Sequence, residues 1–256
     1  MTRSVAIVTG AAGDIGAAIA GRLADDHDTI VLADIDPDAA AAVAGALGPA
    51  DRFVVVECDV TSEESVAALA ARTAGLGSLR TLVNNAGAAR AVSLHDTTPE
   101  IWRADNALNL EAAFLCFRAV EDQLKASRGS LVNIASVNGT NVFGHPAYSA
   151  AKAGLLHFTR LVAVEYGKFG IRANAVAPGT VKTRAWEVRA AANPNVFEDA
   201  RRWYPLQRVV DPTDVANAVA FLAGAAAITG VCLPVDCGLT AGQTELARTF
   251  SQSEHY

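Results

Sequence analysis

Short apolar runs recur along the chain, each followed by a longer stretch in which apolar positions return every three or four residues. The runs at 5–9, 29–33, 52–57, 81–84, 130–135, 172–177 and 231–235 are rich in Val, Ile and Leu and predict strands. The longer patterns predict helices near 16–26, 37–47, 62–74, 99–125, 147–168 and 212–223. Several carry start signals: Pro37 after Asp36, the capping and acidic Thr61-Ser62-Glu63-Glu64, and Pro212 after Asp211. Strand and helix alternating from end to end predict an α/β chain, a doubly wound parallel sheet with helices on both faces. One interval breaks the rhythm. About thirty residues containing Pro178, Gly179, Pro194 and Pro205 separate the run ending at Ala177 from the helix opening at Asp211, and a connection that long predicts a lid, about 181–208.

Composition narrows the class. At 256 residues, 51% hydrophobic and only 6% aromatic, the chain suits one domain, 1–256, of Ala-rich helices on Val/Ile strands. A net charge of −6 argues against nucleic acid, whose binders show a basic face. Residues 1–4 run at once into the first apolar stretch, which reaches glycine too soon for a signal peptide or membrane span, so a cytoplasmic protein with no membrane partner is expected. Cys58, Cys116, Cys232 and Cys237 form no CxxC pair and have no His at zinc spacing, so neither a metal site nor a disulfide framework is expected.

The candidate chemistry lies at the ends of the predicted strands. Thr9-Gly10-Ala11-Ala12-Gly13-Asp14-Ile15-Gly16 joins the first strand to the first helix, where glycines let the backbone approach a pyrophosphate and the helix start attracts its charge. Asp34, 18 residues beyond Gly16, closes the second strand; a carboxylate there accepts hydrogen bonds from ribose hydroxyls and repels a 2′-phosphate, and no Arg or Lys lies between Thr29 and Ala44. NAD is therefore favoured over NADP. Asp59-Val60 and Asn84-Asn85-Ala86-Gly87 follow the third and fourth strands, on the edge where open parallel sheets bind ligands. Tyr148 and Lys152, at i and i+4, share a helix face, and a neighbouring ammonium brings phenol proton transfer nearer to neutral pH. Such a pair recurs by chance. Ser136, 12 residues before Tyr148 and just after an apolar strand, adds a hydroxyl suited to holding a substrate oxygen.

Taken together, Thr9-Gly10…Gly16, Asp34, Asp59, Asn84-Asn85-Ala86-Gly87, Asn109, Ser136, Tyr148, Lys152 and Pro178-Gly179 stand in the order and at the intervals of one family. Over nearly its whole length the chain resembles the classical short-chain dehydrogenases/reductases. The resemblance implies a single Rossmann-like domain with a seven-stranded sheet, a small-molecule substrate, and a homo-oligomer, a tetramer or a dimer. It implies Tyr148 as general acid/base, Lys152 on the nicotinamide ribose, Ser136 on the substrate oxygen, and Asn109 in a proton relay through water, with Asn106 its rival. The implied cofactor contacts are Gly10, Asp14, Ile15, Gly16, Asp34, Ile35, Asp59, Val60, Asn85, Ala86, Gly87, Tyr148, Lys152, Pro178, Gly179, Val181 and Thr183. One departure stands out: the family's turn reads Thr-Gly-x-x-x-Gly-x-Gly, and Asp14 replaces the middle glycine.

For the substrate, Ser136, Tyr148, His145 and Trp186 are candidates, with Phe143 beside them; His95 is expected in solvent. Lid residues Trp186, Phe197, Trp203 and Tyr204 suit an apolar wall, and Arg184, Arg189, Arg201 and Arg202 suit an anionic group. Three functions stay open: an NAD-dependent secondary-alcohol dehydrogenase or ketone reductase, a 3-oxoacyl-thioester reductase on the same scaffold, and a non-catalytic NAD(H)-sensing protein. Asp34 and the acidic charge weigh against the second, and the intact Ser136, Tyr148 and Lys152 against the third.

Overall fold

The structure is a computed structural model that describes residues 2–184, 191, 193, 195–253 and 255. Its elements are β1 (Ser4–Thr9), α1 (Asp14–Leu23), β2 (Thr29–Asp34), α2 (Pro37–Leu47), β3 (Phe53–Glu57), α3 (Glu63–Ala74), β4 (Ser78–Asn84), α4 (Pro99–Asn106), α5 (Ala112–Ser127), β5 (Ser130–Ile134), α6 (Pro146–Tyr166), β6 (Arg172–Pro178), α7 (Val196–Arg201), α8 (Pro212–Gly224), β7 (Cys232–Val235) and α9 (Thr244–Ser251). The seven strands form one parallel sheet in the order β3-β2-β1-β4-β5-β6-β7. The order reverses between β1 and β4, and that switch point opens the crevice in which such sheets bind ligands.

Both faces of the sheet are buried, so its strands read as apolar runs rather than alternations. Alternate residues still point to opposite sides. Ala6, Val8, Ile30, Leu32, Val83, Val132, Ile134 and Val176 pack with Ile19 and Leu23 of α1 and Val215 and Val219 of α8. Val5, Ile7, Val31, Leu79, Leu82, Leu131 and Ala173 pack on the other face with Leu69 of α3, Phe117 and Leu124 of α5, and Val162 of α6.

The helix expected over 99–125 is divided. Between α4 and α5 the backbone widens into a π-helical turn, Ala107–Glu111, where the Ala112 N–H reaches back five residues to the Ala107 carbonyl. The side chain of Asn109 explains the break, since its Nδ2 donates to the Asp105 carbonyl at 2.9 Å and diverts a helix acceptor. Helix α1 begins at Asp14, two residues before its expected start, because Gly13 serves as N-cap. The short α7 and the tail helix α9 were not expected; they span only six and eight residues, and neither buries a residue. Among the described residues no helix is long and apolar enough to cross a membrane.

Candidate active site

From Thr9 the chain turns through Gly10-Ala11-Ala12-Gly13 into α1. Gly10 has φ +63°, and a Cβ there would lie 2.8 Å from the Ala86 Cα; at Gly16 a Cβ would lie 2.2 Å from the Gly10 carbonyl oxygen. Backbone contact therefore requires glycine at both. Asp14, where the family pattern has its middle glycine, is the first residue of α1, and a carboxylate there is favoured by the helix dipole. The turn is fixed from β4. Thr9 Oγ1 accepts from the N–H groups of Asn85 (3.0 Å) and Ala86 (3.2 Å), and Asn85 Nδ2 donates to the carbonyls of Thr9 (2.9 Å) and Gly10 (3.0 Å).

A groove of about 730 Å³ runs along this edge, lined by Gly10, Asp14, Ile15, Gly16, Asp34, Ile35, Asp59, Val60, Asn85, Ala86 and Gly87. Asp34 at the tip of β2 accepts the Ala12 N–H on Oδ2 (2.8 Å) and the Asp36 N–H on Oδ1 (3.1 Å), which staples the turn and aims the carboxylate. Asp59 Oδ1 accepts from the hydroxyl and N–H of Thr61, and those bonds hold its carboxyl below the usual range. Arg90 and Arg184 also line the groove. Each is matched by a carboxylate: Arg90 by buried Asp105 at 2.6 Å, Arg184 by Asp14 at 2.7 Å. The closed glycine turn, the helix start and the acid at the tip of β2 fit a dinucleotide lying across the switch point.

A second cavity, about 780 Å³, adjoins the first and shares Ile15, Asn85, Gly87 and Thr183 with it. Ser136, Tyr148, Lys152, Pro178, Gly179, Val181 and His145 line it. A Cβ on Gly87 would sit 2.7 Å from Asn109 Oδ1 and 3.3 Å from Lys152 Nζ, so glycine keeps open the space between the two cavities and these polar groups.

Tyr148 and Lys152 lie one turn apart on α6, with Lys152 Nζ 5.5 Å from the centre of the Tyr148 ring. The amine is buried and donates to the Ile134 carbonyl at 2.7 Å. Desolvation lowers the Lys152 pKa to about 7. Burial also raises that of Tyr148, although the Ser136 hydroxyl pulls it down and one side of the ring faces the cavity. The expected ammonium–phenol coupling thus meets an opposing effect, since enclosure favours the uncharged form of each group.

Ser136 is set by Asn138, whose local sequence carries no sign of a role. Asn138 Nδ2 donates to the Gly144 carbonyl (3.0 Å) and Ser149 Oγ (3.1 Å), so its Oδ1 is turned to accept from Ser136 Oγ (3.4 Å). Its backbone N–H donates to the same Oγ at 3.1 Å. Asn109 is buried; Nδ2 donates to the Ala88 and Asp105 carbonyls. Its Oδ1 and that of Asn84 have no hydrogen-bond partner among the described residues. Both residues, with Lys152, border an internal space of about 10 Å³, the size at which one water just fits. Asn106 lies away from this space, its amide bonded to the Trp102 carbonyl.

Among the substrate candidates, His145 adopts a left-handed conformation (φ 51°) at the start of α6 and donates from Nδ1 to the Ala91 carbonyl at 2.9 Å. Its ring meets that of Tyr148 edge to face. Trp186 and Arg189 lie outside the described residues. Phe143, Trp203 and Tyr204 line the cavity, whereas His95 is exposed. Each lid arginine among the described candidates has a partner within the chain: Arg184 binds Asp14, Arg201 pairs with Glu198, and Arg202 stacks on Trp203. Leu239 and Gln243 also reach the cavity. Nothing in their local sequence signals this, because the approach depends on how the segment after β7 folds back.

The sheet, its switch-point groove and the Ser-Tyr-Lys cavity together define a dinucleotide-binding oxidoreductase fold. The family model described as enoyl-(acyl carrier protein) reductase matches residues 10–240. The chain is 41% identical over 244 residues to cis-4-hydroxycyclohexanecarboxylate dehydrogenase of Sinomonas cyclohexanicum, covering 93% of this chain and 96% of that one. To 3-oxoacyl-[acyl-carrier-protein] reductase of Synechocystis it is 38% identical over 249 residues, covering 93% and 98%. A solved oxidoreductase of the short-chain dehydrogenase/reductase family from Burkholderia thailandensis superposes with a TM-score of 0.93 at 44% identity, over 100% of both chains. The chain belongs to the short-chain dehydrogenase/reductase family and is an oxidoreductase.

Proposed function

We propose that the protein is an NAD-dependent dehydrogenase of secondary alcohols, or reductase of the matching ketones. The observation that carries this reading is the convergence of Ser136, Tyr148 and Lys152 in a cavity continuous with the groove that ends at Asp34. The nicotinamide, when bound, supplies or accepts the hydride. Asp34 would hold the adenosine ribose, Asn85 to Gly87 the middle of the cofactor, and Pro178, Gly179, Val181 and Thr183 the nicotinamide side. Ser136 Oγ would turn its single proton from Asn138 Oδ1 to the substrate oxygen. The Tyr148 phenol gives that oxygen a proton in reduction and takes it back in oxidation. Lys152 would hold the nicotinamide ribose, and a single water among Asn109, Asn84 and Lys152 would pass the proton inward.

Two features support NAD: the carboxylate of Asp34, and the neutralisation of both groove arginines by carboxylates of the chain itself. A ring-bearing alcohol is supported by the Sinomonas relative and by the apolar side chains of Phe143, Trp203 and Leu239 around Tyr148. The Synechocystis relative keeps 3-oxoacyl thioesters as the second reading. The same proposal takes the protein as a cytoplasmic homotetramer; Phe114, Leu161 and Val164, exposed on α5 and α6, suit a subunit contact.

A screen of cyclic and acyclic secondary alcohols with NAD, and of acetoacetyl thioesters with NADH and NADPH, tests the reading. Turnover of alcohols with NAD is expected. Turnover of thioesters alone moves the assignment to the second reading, and NADH binding without turnover of any substrate moves it to a sensor.

A further inference from the structure

The acid that interrupts the glycine pattern has a partner 170 residues away. Arg184 Nε donates to Asp14 Oδ1 at 2.7 Å, the Arg184 backbone N–H donates to Asp14 Oδ2 at 2.7 Å, and Arg184 Nη2 donates to the Ala12 carbonyl at 3.0 Å. Both carboxylate oxygens are engaged, and the arginine grips the backbone of the turn as well. Ile15 and Thr183, the immediate chain neighbours of this pair, line both the groove and the Tyr148 cavity. They mark the passage between the two, through which the pyrophosphate linking the halves of a dinucleotide has to run. The Asp14–Arg184 contact lies in the lining of the groove beside that passage. The Arg184 side chain is 68% exposed and that of Asp14 26%, which puts the contact on the solvent side.

We propose that Asp14 and Arg184 form a clasp over the pyrophosphate passage that sets how fast the dinucleotide enters and leaves. They are positioning residues. The pair is neutral overall, and the Arg184 Nε–H and one Nη2–H are already committed to Asp14 and the Ala12 carbonyl, so it attracts phosphate less than an unpaired arginine does. It closes a side from which a dinucleotide otherwise slips in and out sideways. A partly exposed ion pair is weak and screened by salt, so the clasp opens readily and lowers both rates by only a few fold. The proposal rests on the nicotinamide reading of the groove.

The test is stopped-flow NADH fluorescence on the full-length protein, preceded by equilibrium titration. If NADH does not bind the wild type at all, the reading of the groove falls and the clasp with it. Given binding, Arg184→Gln and Asp14→Asn are each expected to raise association and dissociation rates together, roughly two- to fivefold, with Kd moving less than about twofold. Added NaCl at about 0.5 M should narrow the gap between wild type and variants, and the swap Asp14→Arg with Arg184→Asp should recover part of the slow exchange. A rise in Kd of roughly tenfold through dissociation alone in Arg184→Gln makes the residue a phosphate ligand and overturns the clasp. So do unchanged rates in both single variants. Melting temperatures of the variants should match the wild type, because the pair lies at the surface; a variant that unfolds contradicts the assignment of these residues to cofactor exchange alone.

Discussion

Lys152 Nζ lies 5.5 Å from the centre of the Tyr148 ring, yet its hydrogen bond goes to the carbonyl of Ile134, at 2.7 Å, and not to the phenol. The bond ties α6 to the end of β5 and fixes where the amine stands relative to both cavities. It leaves a fully enclosed amine with a pKa of about 7. The proposed role of Lys152 on a ribose hydroxyl thus comes at the expense of folding stability.

That cost has a pH signature. The unfolded lysine keeps its proton to about pH 10.4, whereas the folded one loses it near 7. Between those values the unfolded chain binds the extra proton, so stability rises with pH across the window and the penalty is complete below about 7. Lys152→Met removes the titration. Thermal melts from about pH 7 to 9.5 should show the wild type gaining on the variant as pH rises, while the variant is inactive throughout. Parallel melting curves at every pH would show that the buried amine carries no such penalty.

Asn138 meets Ser136 Oγ with its backbone N–H and its side-chain Oδ1; Asn138→Ala keeps the first and removes the second, with the Nδ2 bonds to Gly144 and Ser149, so it should weaken the hold on the substrate oxygen without touching the groove. A loss of about 1–2 kcal/mol, roughly five- to thirtyfold in kcat/KM, is expected from the released hydrogen bonds. Steady-state kinetics beside an NADH titration checks this, with NADH affinity staying within about twofold. An equal loss in both measurements would mean that the substitution disturbs the whole site.

Under the NAD proposal, Asp34→Asn removes the charge that keeps out a 2′-phosphate while keeping an oxygen to accept the Ala12 N–H. At an effective dielectric near 20 the repulsion amounts to about 1–2 kcal/mol after solvent screening, so the NADPH-to-NADH ratio of kcat/KM should rise roughly five- to thirtyfold. Paired assays with the two cofactors measure it. A wild type that already prefers NADPH would show that the Asp34 carboxylate does not keep a 2′-phosphate out.

The strands could be read from the sequence to within a few residues because both sheet faces are buried, which leaves each strand as a short apolar run between polar helix starts. The groove was legible for a similar reason: Gly10 and Gly16 are demanded by backbone contact, and Asp34 and Asn85 fall at strand ends. What the sequence concealed depends on contacts between distant segments. Asp14 is an unfavourable acid beside a pyrophosphate until Arg184, 170 positions away, binds it. Asn138 gave no signal because its effect on Ser136 runs through Gly144 and Ser149. The π-helical turn at Asn109 was hidden too, since a side chain diverting one helix acceptor leaves the apolar periodicity unchanged.

The central claim is that Tyr148 exchanges the proton of the substrate oxygen, and Tyr148→Phe tests it most directly. The substitution removes one oxygen from a ring whose contacts with His145 and Lys152 are otherwise kept. With any alcohol that the wild type oxidises, single-turnover absorbance at the reduced nicotinamide band should show a rate at least roughly a hundredfold lower, in the range that a lost general acid or base costs, while NADH binding stays within a few fold. A variant that binds NADH normally and turns over at the wild-type rate would contradict the claim.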